Sequence, residues 1–207
     1  MDKEGNNKLY WENIYDTKTE KEFSWYQEYP KISLELIREL QLPKTANIID
    51  IGGGDGRLVD SLLNLGYQNI WVLDISAKAI ERAKTRLGRK AARVQWIVND
   101  VMTFIPPVRF DCWHDRATFH FLVSKEQILK YLTVARQSTS KGSYAIIGLF
   151  SQNGPKKCSG LEVKQYTEEA LTEQLGNDFK KIKCITEDHK TPFNTNQNFL
   201  YCSFKRN

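Results

Sequence analysis

Asn47 to Leu58 reads Asn-Ile-Ile-Asp-Ile-Gly-Gly-Gly-Asp-Gly-Arg-Leu. A short apolar run carries an acid, Asp50, and passes into a turn built almost entirely of glycine. A helix-period pattern follows, with Leu58, Leu62 and Leu65 on one stripe and Val59 and Leu63 beside it. Strand, tight turn and helix together put backbone N–H groups at the carboxyl edge of a sheet, facing whatever binds there. The chain is constrained around this edge more than anywhere else.

The glycine spacing narrows the ligand. Gly52, Gly54 and Gly56 form Gly-x-Gly-x-Gly, and Arg57 stands where a dinucleotide-binding turn calls for its last glycine. Glycine lets the backbone approach closely and take positive φ. Asp50 offers an acceptor where a pyrophosphate would be repelled. The plain alternative is a glycine-rich turn that binds nothing. Two later runs add to the signal. Asn69 to Leu73 ends at Asp74, near the ~20-residue offset at which an acid meets a ribose hydroxyl. Val94 to Val98 leads to Asn99 and Asp100. Each of these acids also suits a helix cap.

From Asn47 to Phe150 strands and helices alternate, which predicts βαβ units and a parallel sheet. The strands are expected near 47–51, 69–73, 94–98, 109–114 and 143–150, with helices near 57–65, 76–88 and 117–138. Ser76 suits the start of the second helix and Gly88 its end. Before the glycine turn, Tyr10, Trp11, Tyr15, Phe23, Trp25, Tyr26 and Tyr29 crowd a short segment. Trp11, Ile14 and Tyr15 keep helical spacing, and a second helix is expected over about 29–40. Such aromatics pack a core or roof a cleft. After the fifth strand come a long loop, Ser151 to Gln165, a short capped helix at Thr167, and strands near 179–187 and 197–205. The joint between these last two, His189 to Asn196, is too short for a crossover helix and predicts a hairpin. The sixth strand is expected to run parallel to the first five.

Composition excludes several classes. At 207 residues with 41% hydrophobic and 27% charged residues, the chain suits one globular domain. No apolar run is long enough to span a bilayer. The polar start at Met1 to Lys8 does not resemble a signal or transit peptide, and the cytoplasm is the expected location. Cys112, Cys158, Cys184 and Cys202 lie far apart without metal-ligand spacing. They are expected as buried thiols, with no metal site. Arg82, Lys84, Arg86, Arg89, Lys90 and Arg93 are expected to form a solvated face rather than a nucleic-acid contact.

The turn with Asp50 in front, followed by Asp74 and Asp100, resembles motif I and its partners in class I S-adenosylmethionine (SAM) dependent methyltransferases. That resemblance implies an α/β fold: a Rossmann-like three-layer sandwich whose seven-stranded, mostly parallel sheet ends in an antiparallel C-terminal hairpin strand. It spans about 47–205, with residues 1–42 as a helical cover and 43–207 as the catalytic core. It implies SAM as cofactor, held by Asp50, Gly52, Gly54, Gly56, Asp74, Ile75, Asp100, Val101 and His114. In that family the acid after the third strand bonds the adenine amino group.

The end of the fourth strand, His114-Asp115-Arg116-Ala117-Thr118, looks like the Asp-Lys-Gly or Asp-Arg-Gly of elongation-factor lysine methyltransferases and thiopurine-type enzymes. Phe23-Ser24-Trp25-Tyr26 and Leu73-Asp74-Ile75-Ser76 favour the first group. The likeness ends at Phe119-His120-Phe121, where that group continues Leu-Asp-Ala. It implies methyl transfer to a protein side chain or a small molecule. Asp115 and His120 are the expected proton acceptors, and Trp25, Tyr26, Arg116, His189 and Phe193 the expected substrate contacts. A thiol or hydroxyl methyltransferase and a non-catalytic SAM-binding scaffold remain the alternatives. His120 between two phenylalanines also reads as a packed histidine, and Asp115 as a helix cap.

Overall fold

The computed structural model describes residues 3–207; Met1 and Asp2, at the head of the polar start, lie outside the described residues. Five strands alternate with helices as the periodicity predicts. β1 spans Asn47–Ile51, β2 Asn69–Asp74, β3 Val94–Val98, β4 Phe110–Arg116 and β5 Thr139–Phe150. Helix α1 covers Lys3–Thr17, α2 Lys31–Glu39, α3 Leu58–Asn64, α4 Ala77–Leu87 and α5 Lys125–Ser138. Two dipeptide strands follow, β6 (Lys157–Cys158) and β7 (Leu161–Glu162). Helix α6 (Glu168–Leu175) and the long strands β8 (Phe179–Lys190) and β9 (Asn196–Arg206) complete the chain.

The main sheet has seven strands in the order β3-β2-β1-β4-β5-β9-β8. β1 pairs in parallel with β2 and with β4, while β9 runs antiparallel to both β5 and β8. β8 therefore runs parallel to the first five, as expected of the sixth long strand. The chain reverses from β1 to β4 at the middle of the sheet. At such a switch point the strand ends splay and leave a crevice.

Period-two alternation assigns each strand residue to a layer. Ile49, Ile51 and Trp113 pack with Ile128, Tyr131 and Val134 of α5 and Leu171 of α6. Ile48, Cys112 and Ile146 pack with Leu34 and Ile37 of α2 and Leu58 and Leu62 of α3. This is a three-layer α/β sandwich. A third, smaller cluster joins Ile14, Tyr15 and Phe23 of the N-terminal segment to Ala79 of α4.

The local start and stop signals act as their chemistry suggests. The Ser76 hydroxyl accepts from the Ala79 N–H at 3.1 Å, and Gly88 ends α4 with a φ of 55°. Three expectations are corrected. The helix expected over 117–138 is broken. A 3-10 turn at Phe119–Phe121 precedes α5, which starts afresh from a Ser124–Gln127 capping box. The loop Ser151 to Gln165 contains the small β6–β7 hairpin.

The cysteines divide. Cys112 and Cys158 are buried free thiols, but Cys184 and Cys202 are disulfide-bonded. The β8–β9 register sets them directly opposite, with Cα atoms 4.1 Å apart. Strand register is a tertiary fact that spacing along the chain does not reveal.

A buried polar chain runs through the α5 layer. Trp113 Nε1 donates to the Tyr131 hydroxyl at 2.8 Å, and that hydroxyl donates to Asp115 Oδ2 at 2.6 Å. Tyr131→Phe removes the middle member and strands a buried carboxylate oxygen and an indole N–H. The expected loss is about 1–3 kcal/mol for each group left unpaired. Urea unfolding should show a lower midpoint with an unchanged slope; an unchanged midpoint would contradict this account.

Candidate functional site

The carboxyl ends of β1, β2, β3 and β4 surround two adjoining clefts. The first is lined by Gly52, Leu73, Asp74, Ile75, Asn99, Asp100, Val101, Met102, Ala117, Thr118 and Leu122 from the core. Tyr15 covers the glycine turn, and Trp11, Trp25, Arg116, Phe121 and Cys158 complete the lining. Its enclosed volume is about 140 Å³, below the ~300–1,000 Å³ usual for small-molecule sites, and it opens to solvent at its mouth. The second cleft shares Tyr15, Trp25, Gly52 and Arg116 with it, and adds Tyr26, Ser33, Asp50, Gly53, Gly56, Arg57 and His114.

The glycine turn is shaped by close contact. Gly52 has φ +61°, and a β-carbon there would lie 1.8 Å from Thr118 Oγ1. Gly54 has φ +52°, and a β-carbon there would lie 2.4 Å from the Tyr15 hydroxyl oxygen. Only glycine fits either position, for conformation and for space. Asp50, beside this turn, accepts from His114 Nδ1–H at 2.7 Å, and His114 Nε2 meets Ser33 Oγ at 2.9 Å. All three side chains are buried. They tie β1, β4 and α2 together under the second cleft.

The two later acids stand at the first cleft as expected. Asp74 Oδ1 accepts from the Ser76 N–H at 2.8 Å, and Asp100 Oδ1 accepts from the Met102 N–H at 2.8 Å. Each acid caps its following turn with one oxygen. Burial pushes the Asp74 carboxyl up to about 7, against the pull of the Ser76 and Gly54 N–H groups. Ile75 and Val101 flank these acids on the cleft wall.

The N-terminal segment roofs both clefts. The Glu12 carboxylate accepts from the N–H groups of Ala77 and Lys78 at 2.8 and 3.1 Å, capping α4 from outside it. In return Arg82 of α4 donates to the carbonyls of Tyr15 and Lys18 at 3.0 and 2.8 Å, at the C-terminal end of α1. Arg86 binds Glu20, Asp60 and the Gly56 carbonyl. So the stretch expected as a solvated basic face sends Arg82 and Arg86 inward. They hold the roof and the glycine turn, and their spacing along α4 puts them on one helix face. Sequence reasoning missed these two residues, and Glu12 with them. Further along, Phe23 stacks on Trp25 at 4.6 Å, and Trp11 meets Phe121 edge-on at 5.2 Å.

The expected proton acceptors face elsewhere. Asp115 is fully buried toward α5, and its oxygens accept from the N–H groups of Thr118 and Phe119 and from Tyr131. Burial still pushes its carboxyl up to about 6. It anchors the 117–119 turn that lines the cleft instead of lining it. His120 is fully buried, takes the Phe150 N–H on Nδ1 at 3.3 Å, and is held down to about 3 by burial and by Arg116. It is a neutral packed ring.

The expected substrate contacts also separate. Trp25 and Arg116 line both clefts and Tyr26 lines the second. His189 is neutral, lowered to about 4 by burial, and bonds the Ser24 carbonyl at 2.9 Å, so it straps the roof down. Phe193 is 56% exposed and lines neither cleft. It sits at the tip of the β8–β9 hairpin, which turns outward. Among the described residues no cluster of side chains suits a metal ion, and no helix is long and apolar enough to cross a membrane.

Residues 48–142 match the family model of a methyltransferase domain. The mouse eEF1A lysine and N-terminal methyltransferase is 26% identical over 140 residues, covering 67% of this chain and 20% of that protein. Malonyl-[acyl-carrier protein] O-methyltransferase 2 of Ilyobacter polytropus is 29% identical over 113 residues, covering 52% of this chain and 43% of that protein. The chain thus spans between a fifth and under half of these relatives' lengths. Among solved structures, 1,6-didemethyltoxoflavin-N1-methyltransferase of Burkholderia thailandensis, with 1,6-didemethyltoxoflavin and S-adenosylhomocysteine bound, superposes with a TM-score of 0.77. It is 18% identical, and the match covers 98% of this chain and 89% of that one.

The donor set fits SAM. Gly52 and Gly54 let Thr118 and Tyr15 close on the turn, while Asp74 and Asp100 each keep an oxygen beyond its capping bond. An ionised Asp74 would accept ribose hydroxyls. As pH falls through about 7 it takes up a proton in the free protein, which binding must remove. S-adenosylhomocysteine affinity should therefore weaken below pH 7 and level off above it. Asp74→Asn should lose about 1.5–3 kcal/mol, on the order of 10- to 100-fold in Kd, and show no such slope. Calorimetry across pH checks both; equal slopes in the two proteins would remove Asp74 from the site.

Proposed function

We propose that this class I SAM-dependent methyltransferase transfers the cofactor's methyl group to a small-molecule acceptor enclosed beneath its N-terminal roof. The observation that carries this reading is the closure of the first cleft. Trp11, Trp25, Phe121 and Cys158 bound the end of the cleft beyond Thr118. The Tyr10 hydroxyl reaches across to the Ser159 carbonyl of the β6–β7 hairpin, tying α1 to that loop. A compact molecule fits such a space, whereas a lysine presented by a folded protein needs an open approach.

The cofactor supplies an electrophilic methyl group on a sulfonium. What remains for the chain is to hold the acceptor in line at about 3–3.5 Å and to keep water out. Asp50, the glycine turn, Asp74 and Asp100 would hold the cofactor. Trp11, Trp25 and Phe121 offer rigid aromatic faces for the acceptor. Neither Asp115 nor His120 lines the cleft, and burial pushes the Cys158 thiol up to about 12, so it stays protonated. The acceptor end therefore has alignment and desolvation but no strong base. That suits an acceptor atom with a lone pair already available, such as a neutral nitrogen or an acidic thiol.

The mouse and Burkholderia enzymes pull in opposite directions on acceptor type. The first is named for lysine and N-terminal methylation, and the second was solved with a small molecule. The likeness to the second covers nearly the whole of this chain, roof included, and supports the small-molecule reading.

Incubation with methyl-labelled SAM and cell extract, followed by separation of protein, RNA and small molecules, should put label in the small-molecule fraction. Label confined to protein would overturn the reading. Trp25→Ala should raise KM for the acceptor several-fold while S-adenosylhomocysteine affinity changes little. A KM unchanged in that variant would take Trp25 out of the acceptor site.

A further inference from the structure

One charged group at the acceptor end of the cleft is in no direct ion pair among the described residues. Arg116 ends β4 and lines both clefts. Its Nε donates to the Tyr201 hydroxyl at 2.8 Å, and its Nη1 to the Trp25 carbonyl at 2.9 Å. Its Nη2 is buried and has no partner among the described residues. The guanidinium lies over the Phe199 ring, 4.7 Å from its centre. Glu187 acts on the same Tyr201 hydroxyl and forms no ion pair with the guanidinium. His120 and His189 both feel the charge of Arg116 and are neutral, so neither adds a cation nor offsets one.

We infer that Arg116 is an anion anchor for the acceptor, and that the cleft takes a small organic carboxylate. This rests on the small-molecule reading of the same site. A guanidinium on an aromatic face, with three N–H groups unspent, two of them on Nη2, is matched by a planar oxyanion. Two of its nitrogens are already bonded, so the side chain is fixed before the ligand arrives. Freezing the donor in advance favours binding, because little side-chain entropy is left to lose. A single guanidinium balances one negative charge. The other cleft-lining neighbours at this end, Trp11, Trp25, Phe121 and Cys158, are apolar or neutral. A monoanionic carboxylate on an apolar or aromatic body meets both features, and a dianionic phosphate would leave one charge uncompensated. The same Arg116 bond to the Trp25 carbonyl couples the anchor to the roof, so an anion at Nη2 would sit against the segment that closes over it.

The test uses the full chain saturated with S-adenosylhomocysteine, so that any cofactor carboxylate subsite is filled. Benzoate, phenylacetate and 4-hydroxybenzoate are each titrated beside the corresponding amide, read by ligand-observed NMR and calorimetry. At least one carboxylate should bind ten-fold or more tightly than its amide. Arg116→Gln should remove that preference, and Arg116→Lys should keep part of it, with S-adenosylhomocysteine affinity held within a few-fold in both. The wild-type comparison stands by itself if a variant fails to fold. If no carboxylate outdoes its amide, or if Arg116→Gln keeps the preference, the inference falls. Should carboxylates bind while label from SAM enters only protein, the anion site stands and the small-molecule reading falls. Should label enter small molecules while amides bind as well as carboxylates, that reading stands and this inference falls.

Discussion

Thr118 lies so close to Gly52 that any side chain at position 52 would overlap its hydroxyl. The contact joins the end of β1 to the turn after β4, the two strands between which the sheet changes direction. Everything at the site hangs from this junction. The Thr118 hydroxyl donates to the Ile51 carbonyl at 3.2 Å, and Asp115 holds the Thr118 and Phe119 N–H groups from below. Asp115 is held in turn by Tyr131 and Trp113 in the α5 layer. A carboxylate that faces away from the cleft thus sets the shape of its floor. Its burial raises its pKa, and three donors keep it bonded, so it serves as an anchor and not as an exchanger of protons.

The roof is joined to this floor by charge. Helix termini leave N–H and C=O groups unmet, and here α1 and α4 meet each other's needs. Glu12 serves the start of α4, and Arg82 serves the end of α1. The helix macrodipole favours both placements. Arg86 extends the same logic to the glycine turn. Since α4 begins just after Asp74 at the end of β2, the roof is fastened beside one of the acids at the sheet edge.

Much of this was legible beforehand. Period-two and helical periodicity locate the seven long strands to within a few residues, and the glycine spacing with Asp50, Asp74 and Asp100 points to the sheet edge where the two clefts lie. Those signals are local, since each depends on residues adjacent in the chain. The misreadings share the opposite property. Asp115 and His120 were placed correctly on the chain, at the end of β4 and just after it, but which way each side chain points depends on the layer its position faces. His189 was read as a substrate contact, yet it meets Ser24, from the opposite end of the chain. Arg82 and Arg86 read as surface charge because their partners come from α1 and the segment after it.

The sequence by itself determined the order of strands and helices, the cofactor class and the sheet edge that carries the glycine turn and its acids. Hydrophobic period and backbone freedom at glycine are written in consecutive residues, and no distant contact is needed to read them. Only the tertiary structure decided that Cys184 faces Cys202, that Asp115 looks into the core, that the roof is strapped by Arg116 and His189, and that one nitrogen of Arg116 is left without a partner. Each of these is a pairing across strand register or between layers. Such pairings are settled by how closely packed surfaces meet, and a single chain carries no local mark of them.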